Sequence, residues 1–342
     1  MGTQLSLLSL ATLSSGIQAL SKNIKNQIDE HLSYDPEMLR GRRVIYSTSS
    51  HRQPMVEWQP SNSTPNLEHI KSNSFPTIIS AIDSSTIPVC DLEDGVVYAS
   101  RVAIVFSVGG RSSDCIRLGP FLFNASRDFH PPNMMKSNRL NDGMMNDGEL
   151  IESMIRRVME WESIGQISSF LNNAIILIDG TLQRTPITEN WDIERMSSNA
   201  ISRGNSMIGI SKTSKIRSLW QLSSSLKVSD GAPFFCRIKF PTRCQVLGDT
   251  ILVKFRDDGL VFRTDAISSE TKKALALVSG NDSFYRGYPE TLRLAHHLAV
   301  FTTYEATCIR SYLSRNLSVI ELPSEDTRNT ILRWFWSAGS GG

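Results

Sequence analysis

Two acidic residues close short apolar runs in this chain: Asp83 in Ala81-Ile82-Asp83-Ser84-Ser85 and Asp179 in Leu177-Ile178-Asp179-Gly180-Thr181. A strand end is a rigid support, and the small residues after each acid leave room for a ligand to come close. Either acid alone is equally well explained as a turn or capping residue. Between them, Leu150, Ile151, Met154, Ile155 and Val158 recur at helical spacing. Carrying that stripe on by four residues puts Glu162 on the buried side and Glu160 on the solvated one. An inward glutamate needs a partner, either one of the chain's arginines or the two aspartates. Three carboxylates brought together require cations to offset their repulsion. Two divalent ions so held stabilise both the entering and the leaving oxygen of a phosphoryl displacement. Glu160 is the alternative ligand if the helical phase differs.

A second cluster of candidates lies in Gly287-Tyr288-Pro289-Glu290-Thr291-Leu292-Arg293-Leu294-Ala295-His296-His297. Pro289 suits the first turn of a helix. His296 then shares a face with Leu292 and Val300 and points inward. An isolated inward histidine is as a rule a satisfied core residue; beside converging acids it becomes a fourth metal ligand or a proton shuttle. Tyr288 reads as a group that positions a phosphate or stacks on a base, or as a core tyrosine with a bonded hydroxyl. Lys212 and Lys215 follow the strand-like Met207-Ile208-Gly209-Ile210-Ser211, where they bind a DNA backbone, neutralise developing charge, or stay solvated.

The elements that must position these residues are legible from periodicity and punctuation. Residues 1 to about 33 read as a helix, and 36–76 as a polar segment that is either an arm, a small barrel-like element or a solvated connection. Strand patterns cover 77–83, 96–98 and 101–108, with Gly109-Gly110 as a turn. Residues 114–146 read as a loop with short strands, and a helix follows from Glu149 to Leu171 after the N-cap pair Asn146-Asp147. Ala174 to Asp179 is a continuous apolar run, as expected of a central strand covered on both faces. A helix over 191–203, a strand over 206–211, alternating strands over 234–265 turning at Asp257-Asp258-Gly259, and a helix over 268–278 come next. One long helix is expected from Pro289 to about Arg315, then a strand over 318–320 and a short terminal helix. The glycine-rich end, Gly339 to Gly342, reads as a linker-like tail. The whole pattern implies a mixed sheet covered by helices.

Composition narrows the function classes. The 342 residues, 40% hydrophobic, suffice for one elaborate domain or two smaller ones. With 36 basic and 34 acidic side chains the net charge is only +2, so nucleic acid must be met by local patches and metal ions rather than by a global field. The five cysteines are scattered without a C-x-x-C pair, which argues against a zinc site or disulfide framework and suits a reducing cytosol. The partly apolar Leu5–Leu20 lacks a basic leader and is interrupted by polar residues, so it reads as a soluble amphipathic helix; no stretch reaches the roughly 20 apolar residues of a membrane span. A nucleotide-binding ATPase is disfavoured, because no G-x-x-x-x-G-K-[ST] sequence occurs.

Taken in order, Ile82-Asp83-Ser84-Ser85, the glutamate-bearing helix before Ile176 to Leu182, Gly209-Ile210-Ser211-Lys212-Thr213 and the Tyr288-Pro289 to His296 helix resemble the NurA nucleases of archaea and some bacteria. The resemblance spans about residues 76–310. It implies an α/β, RNase H-like (Piwi-related) mixed sheet flanked by helices, with inserted β-hairpins. The implied organisation is an N-terminal helix and arm for dimerisation over 1–75 and the nuclease domain over 76–338. It further implies a manganese-dependent DNA nuclease, with magnesium as the alternative ion and two metals per site. Activity would be 5′–3′ exonucleolytic with endonuclease activity, in a cytoplasmic homodimer that resects DNA ends with a hexameric HerA-type translocase. The family's metal positions map onto Asp83, Glu162, Asp179 and His296, with Tyr288 as an accessory residue. One departure is Ser84, where the family usually has glycine. The residues themselves leave cleavage polarity and strand preference open, and the rival reading is a nuclease-inactive RNase H-like module that binds nucleic acid or a motor ATPase.

Overall fold

The structure is a computed structural model that describes residues 16–29, 37, 40–45, 66–92, 95–126, 148–183, 193–212, 222–223, 226–227, 231–238 and 247–321. Helix α1 (residues 16–29) and the short strands β1 (Arg43–Ile45) and β2 (Leu67–His69) precede a meander of β3 (Ile78–Leu92), β4 (Gly95–Val108) and β5 (Arg111–Ser126). Helix α2 (Gly148–Phe170) leads to β6 (Ile175–Asp179), and α3 (Ile193–Ser202) leads to β7 (Ser206–Ser211). Then come β8 (Phe234–Arg237), β9 (Asp249–Lys254), β10 (Val261–Ile267) and α4 (Thr271–Asn281). The two-residue strands β11 (Phe284–Tyr285) and β12 (Tyr288–Pro289), α5 (Glu290–Ala299), α6 (Thr303–Asn316) and β13 (Ile320–Glu321) complete the described chain.

The centre of the sheet runs β5-β4-β3-β6-β7, with β3, β4 and β5 mutually antiparallel and β6 and β7 parallel to β3. A three-strand meander followed by two parallel strands on the other side of the first strand is the RNase H arrangement, as the family resemblance implied. Strands β10, β9, β8 and β2 extend the sheet beyond β7, all by antiparallel pairing. β1 pairs with the far end of β3 and carries β13 on its other side, so strands from before residue 76 belong to the same sheet as the centre.

Strand alternation sorts the core into two layers. Ile82, Ile176 and Ile178 pack under α1, α2 and α3 with Leu20, Ile24, Ile155, Trp161 and Ile193. Ile79, Ala81, Ile175 and Leu177 face the other way, against Leu275 of α4 and Leu292 and Ala295 of α5. β6 is apolar from Ile175 to Ile178, where both its faces are covered.

Three sequence expectations are corrected. Strand β3 does not end at Asp83 but continues to Leu92; the polar Ser84-Ser85-Thr86 is tolerated inside because Thr86 pairs with Ser100 at 2.7 Å and Ser84 with Glu160. The first part of the expected loop over 114–146 is the long strand β5, whose Ile116, Phe121, Phe123 and Ala125 reach the core while Arg117, Gly119 and Pro120 are exposed. The single helix expected from Pro289 to Arg315 is two helices, because Thr302 caps α6: its side chain accepts from the Glu305 N–H and the Glu305 carboxylate accepts from the Thr302 N–H. Lys215, the Asn146-Asp147 pair, most of the polar arm, the terminal helix and the glycine-rich tail lie outside the described residues. Among the described residues no helix is long and apolar enough to cross a membrane.

Candidate active site

The register of two parallel strands brings the aspartates together. Ile82 pairs with Ile178, so Asp83 and Asp179 are the next residues on adjacent strands, and alternation places both on the α5 side of the sheet. β6 stops at Asp179, whereas β3 runs on. Among the described residues, that edge of β3 meets no further strand until Asp91 pairs with β1. The acids therefore sit at a notch in the sheet. Beyond β6 the chain folds back across β7, which only a glycine permits: a Cβ on Gly209 would lie 2.7 Å from the Gly180 carbonyl oxygen. The returning loop is fastened by the Leu182 N–H, which donates to Asp265 Oδ2 at 3.1 Å.

Helix α5 closes the notch from the other layer. His296 Nδ1 lies 2.7 Å from Asp83 Oδ2 and 3.6 Å from Asp179 Oδ2. Tyr288, just before the helix, donates its hydroxyl to Asp179 Oδ1 at 3.3 Å, and its ring packs edge-on against Phe262. The helix is pinned at both ends. At its start, Asp282 accepts from the Thr291 N–H and hydroxyl, and Thr291 reaches Ser107 of β4 at 2.8 Å. At its end, Arg117 donates to the Leu298 carbonyl, and buried Arg101 binds Glu305, which these arginines hold down at about 2. Residue 296 is thus held against the acids by the sheet itself.

One ligand atom each from Asp83, Asp179 and His296 can be chosen so that all three lie within 4.8 Å of one another. Two like charges at such a distance repel by about 3–4 kcal/mol at an effective dielectric near 20. Burial, and next the charge of Asp83, raise the Asp179 carboxyl above the ordinary aspartate range, against the lowering effects of Lys212 and His296. Lys212 donates to Asp179 Oδ2 at 2.6 Å, so one ammonium is already in place without balancing the pair. Burial, reinforced by Asp179, pushes the Tyr288 phenol far up, so it stays protonated and donates. With His296 two-fifths exposed, the notch opens to solvent on one side. A buried and a partly buried carboxylate that repel each other, with an imidazole beside them, fit a divalent cation that takes oxygen and nitrogen donors.

The two glutamates of α2 are placed differently from the sequence expectation. Both are buried, so Glu160 is not on a solvated face. Its Oε1 accepts from the Ser84 hydroxyl at 2.7 Å and its Oε2 from Arg157, and burial, with the nearby Asp83 charge among the contributors, raises its carboxyl. Glu162 instead borders a groove with Gln166 and with Arg195, Met196 and Asn199 of α3, on the side of α2 away from Ser84. The structure brings together Asp83, Asp179, His296, Tyr288 and Lys212, sets Glu160 beside them, and leaves Glu162 apart. Helical phase does not distinguish the two glutamates, because Val158 to Ile164 are all buried, by α1 as well as by the sheet, and no polar face marks the orientation.

The chain is similar to several solved nucleases and to one family model. The NurA nuclease from Sulfolobus solfataricus aligns at 16% identity and a TM-score of 0.49, covering 91% of this chain and 96% of that one. A NurA structure bound to dAMP and manganese aligns at 11% identity and 0.38, covering 78% and 92%. The catalytic domain of human endonuclease V gives 11% and 0.38, covering 74% and 92%. No curated protein sequence matches. The family model of the NurA domain matches residues 77–248, half of the chain, from the start of β3 through Asp83, Glu160, Asp179 and Lys212; the chain belongs to the NurA family.

Proposed function

We propose that this chain is a metal-dependent nuclease that cuts DNA, with Asp83, Asp179 and His296 holding a divalent cation. The observation that carries the reading is the convergence of those three side chains within 4.8 Å at the notch of an RNase H-like sheet. The mixed oxygen and nitrogen donor set favours manganese over magnesium, since imidazole suits transition ions and carboxylates suit both. A second ion would draw on Glu160, beside Asp83 at the open edge of β3. When bound, such ions supply Lewis-acid activation of a phosphodiester and of a water. The chain's own groups do the rest. Tyr288 stays neutral and offers a proton to an oxygen at Asp179, Lys212 is a fixed positive charge for a docked phosphate, and the α5 pins keep His296 oriented.

Membership of the family supports the finer reading: 5′–3′ exonuclease with endonuclease activity, working as a homodimer with a hexameric HerA-type translocase in DNA end resection. The segment before residue 76 is assigned to dimerisation on the same ground. Unpaired Cys90, Cys115, Cys236 and Cys308 suit the cytoplasm.

The test compares wild type with Asp179→Ala on end-labelled linear DNA, in manganese and in EDTA. Cleavage by wild type in manganese alone, lost in the variant, is expected. Undiminished cleavage by Asp179→Ala would sink the site, and no cleavage by wild type, with or without the translocase, would favour the inactive binding module.

A further inference from the structure

The β11–β12 hairpin carries an exposed aromatic beside the notch that packing does not account for. Tyr285 is 56% exposed, while its cross-strand partner is Tyr288, the residue that reaches Asp179. Cross-strand partners project from one face of a hairpin with Cβ atoms about 5 Å apart. Tyr285 therefore stands one strand spacing from the tyrosine that reaches Asp179.

The hairpin is rigid. Its turn residues Arg286 and Gly287 have φ of 51° and 80°, as a two-residue primed turn requires. Gly287 presses against the β9–β10 loop, where its added Cβ would meet the Gly259 Cα at 3.1 Å, and the Leu260 N–H donates to the Arg286 carbonyl at 3.0 Å. On the strand before the turn, Phe284 stacks on Phe255 with ring centroids 4.9 Å apart. The turn thus holds an exposed ring in one place.

Guanidinium groups surround that ring. The Cζ of Arg293 lies 5.1 Å, and that of Arg286 5.8 Å, from the Tyr285 centroid. Glu290 binds and fixes Arg293. No carboxylate among the described residues pairs with Arg286, which leaves a positive charge facing solvent beside the aromatic. A fixed tyrosine ring with a guanidinium at it that no carboxylate among the described residues neutralises is the chemistry that takes a nucleobase by stacking and its phosphate by charge.

We infer that Tyr285 and Arg286 form a shelf for the nucleotide adjoining the scissile phosphate, its base on the Tyr285 ring and its phosphate at Arg286. The inference rests on the nuclease reading of the notch, which fixes where the scissile phosphate lies. The shelf needs an unstacked base, so it favours single-stranded or frayed ends over paired duplex.

The test is binding of a fluorescent single-stranded oligonucleotide to the full chain, with calcium replacing manganese so that affinity is read without cleavage. Tyr285→Ala is expected to weaken binding by about tenfold or more and Tyr285→Phe to stay within about threefold of wild type. Arg286→Gly, which suits the positive φ and spares the turn, should lower the salt dependence by about one counterion. An oligonucleotide abasic throughout should bind wild type and Tyr285→Ala alike. Equal affinity of wild type and Tyr285→Ala for the normal strand overturns the shelf, as does absence of binding by wild type, and a protein partner would then be the occupant of the exposed ring. Failure of the nuclease reading shows separately, as wild type that binds the strand in a Tyr285-dependent way yet never cuts it in manganese.

Discussion

Two clusters of charge lie within four neighbouring strands of one sheet, β3-β6-β7-β10, and they are built by opposite rules. In the first, Arg263 and Asp265 of β10 face each other with side chains 5% and 0% exposed. Asp265 also accepts from the Thr250 hydroxyl at 2.8 Å and from the Leu182 N–H, so both carboxylate oxygens are used and the charge is matched. In the second, Asp83 and Asp179 oppose each other with Lys212 and His296 beside them, and an excess of negative charge remains at an opening. Burial raises both Asp179 and Asp265. The difference is that the charged neighbour of Asp265 lowers it again, whereas Asp83 raises Asp179 further. A buried acid is therefore not a site by itself; a surplus of acid at a solvent-facing notch is. The closed cluster serves the open one, since Asp265 ties down the loop that follows Asp179.

The largest expected effect breaks the comparison at its open end. Asp83→Ala should lower manganese-dependent cleavage by about 10³-fold or more, a loss of several kcal/mol of transition-state stabilisation. The metal-free fold should tolerate Asp179→Asn without losing thermal stability, because its surroundings oppose the charged form. The closed cluster should behave the other way. Arg263→Met leaves Asp265 buried beside no cation and should cost about 3–5 kcal/mol in urea unfolding; a neutral result would dissolve the contrast between the two clusters.

Asp282 lies between the two regimes. Its Oδ1 accepts from Thr291 and the Ser283 N–H, while its Oδ2 is buried without a hydrogen bond among the described residues. Burial pushes its carboxyl up to about 7. Because the folded value is above the unfolded one, its contribution is most favourable at low pH and is lost as pH rises from about 4 through 7. Asp282→Asn should then gain stability relative to wild type across that window, by on the order of 3 kcal/mol at its upper end. A stability difference that does not change between pH 4 and pH 8 would contradict the assignment.

The smallest effect sharpens which glutamate belongs to the open cluster. Glu160→Gln should reduce cleavage by about 10–100-fold, and Glu162→Gln should leave it within about threefold, measured side by side on one DNA substrate. Reversal of that order would restore the helical phase read from the sequence.

Much of the candidate site is legible in the sequence. Asp179 stood at the end of a run apolar enough to be a central strand, and the Tyr288 to His296 spacing carried the α5 contribution. Asp83 is legible as an acid on an apolar run, but the continuation of its strand is not, because Ser84, Ser85 and Thr86 resemble a turn unless their buried partners are known. Glu160 is legible only as the alternative ligand, because Val158 to Ile164 are buried on every side and amphipathic phase carries no information there. The break between α5 and α6 did have a signal, the Thr302-x-x-Glu305 capping pattern. Asp265 had none. Its role depends on a loop crossing β7 at Gly209, a contact between distant segments that local pattern cannot supply.

The central claim is that Asp83 and Asp179 jointly hold the cation that drives cleavage. Anomalous scattering at the manganese edge from crystals soaked in manganese tests it most directly. The account predicts a peak at the β3–β6 notch, within bonding distance of both aspartates, that vanishes in Asp179→Ala. A fully active protein whose manganese peaks all lie away from that notch would contradict it.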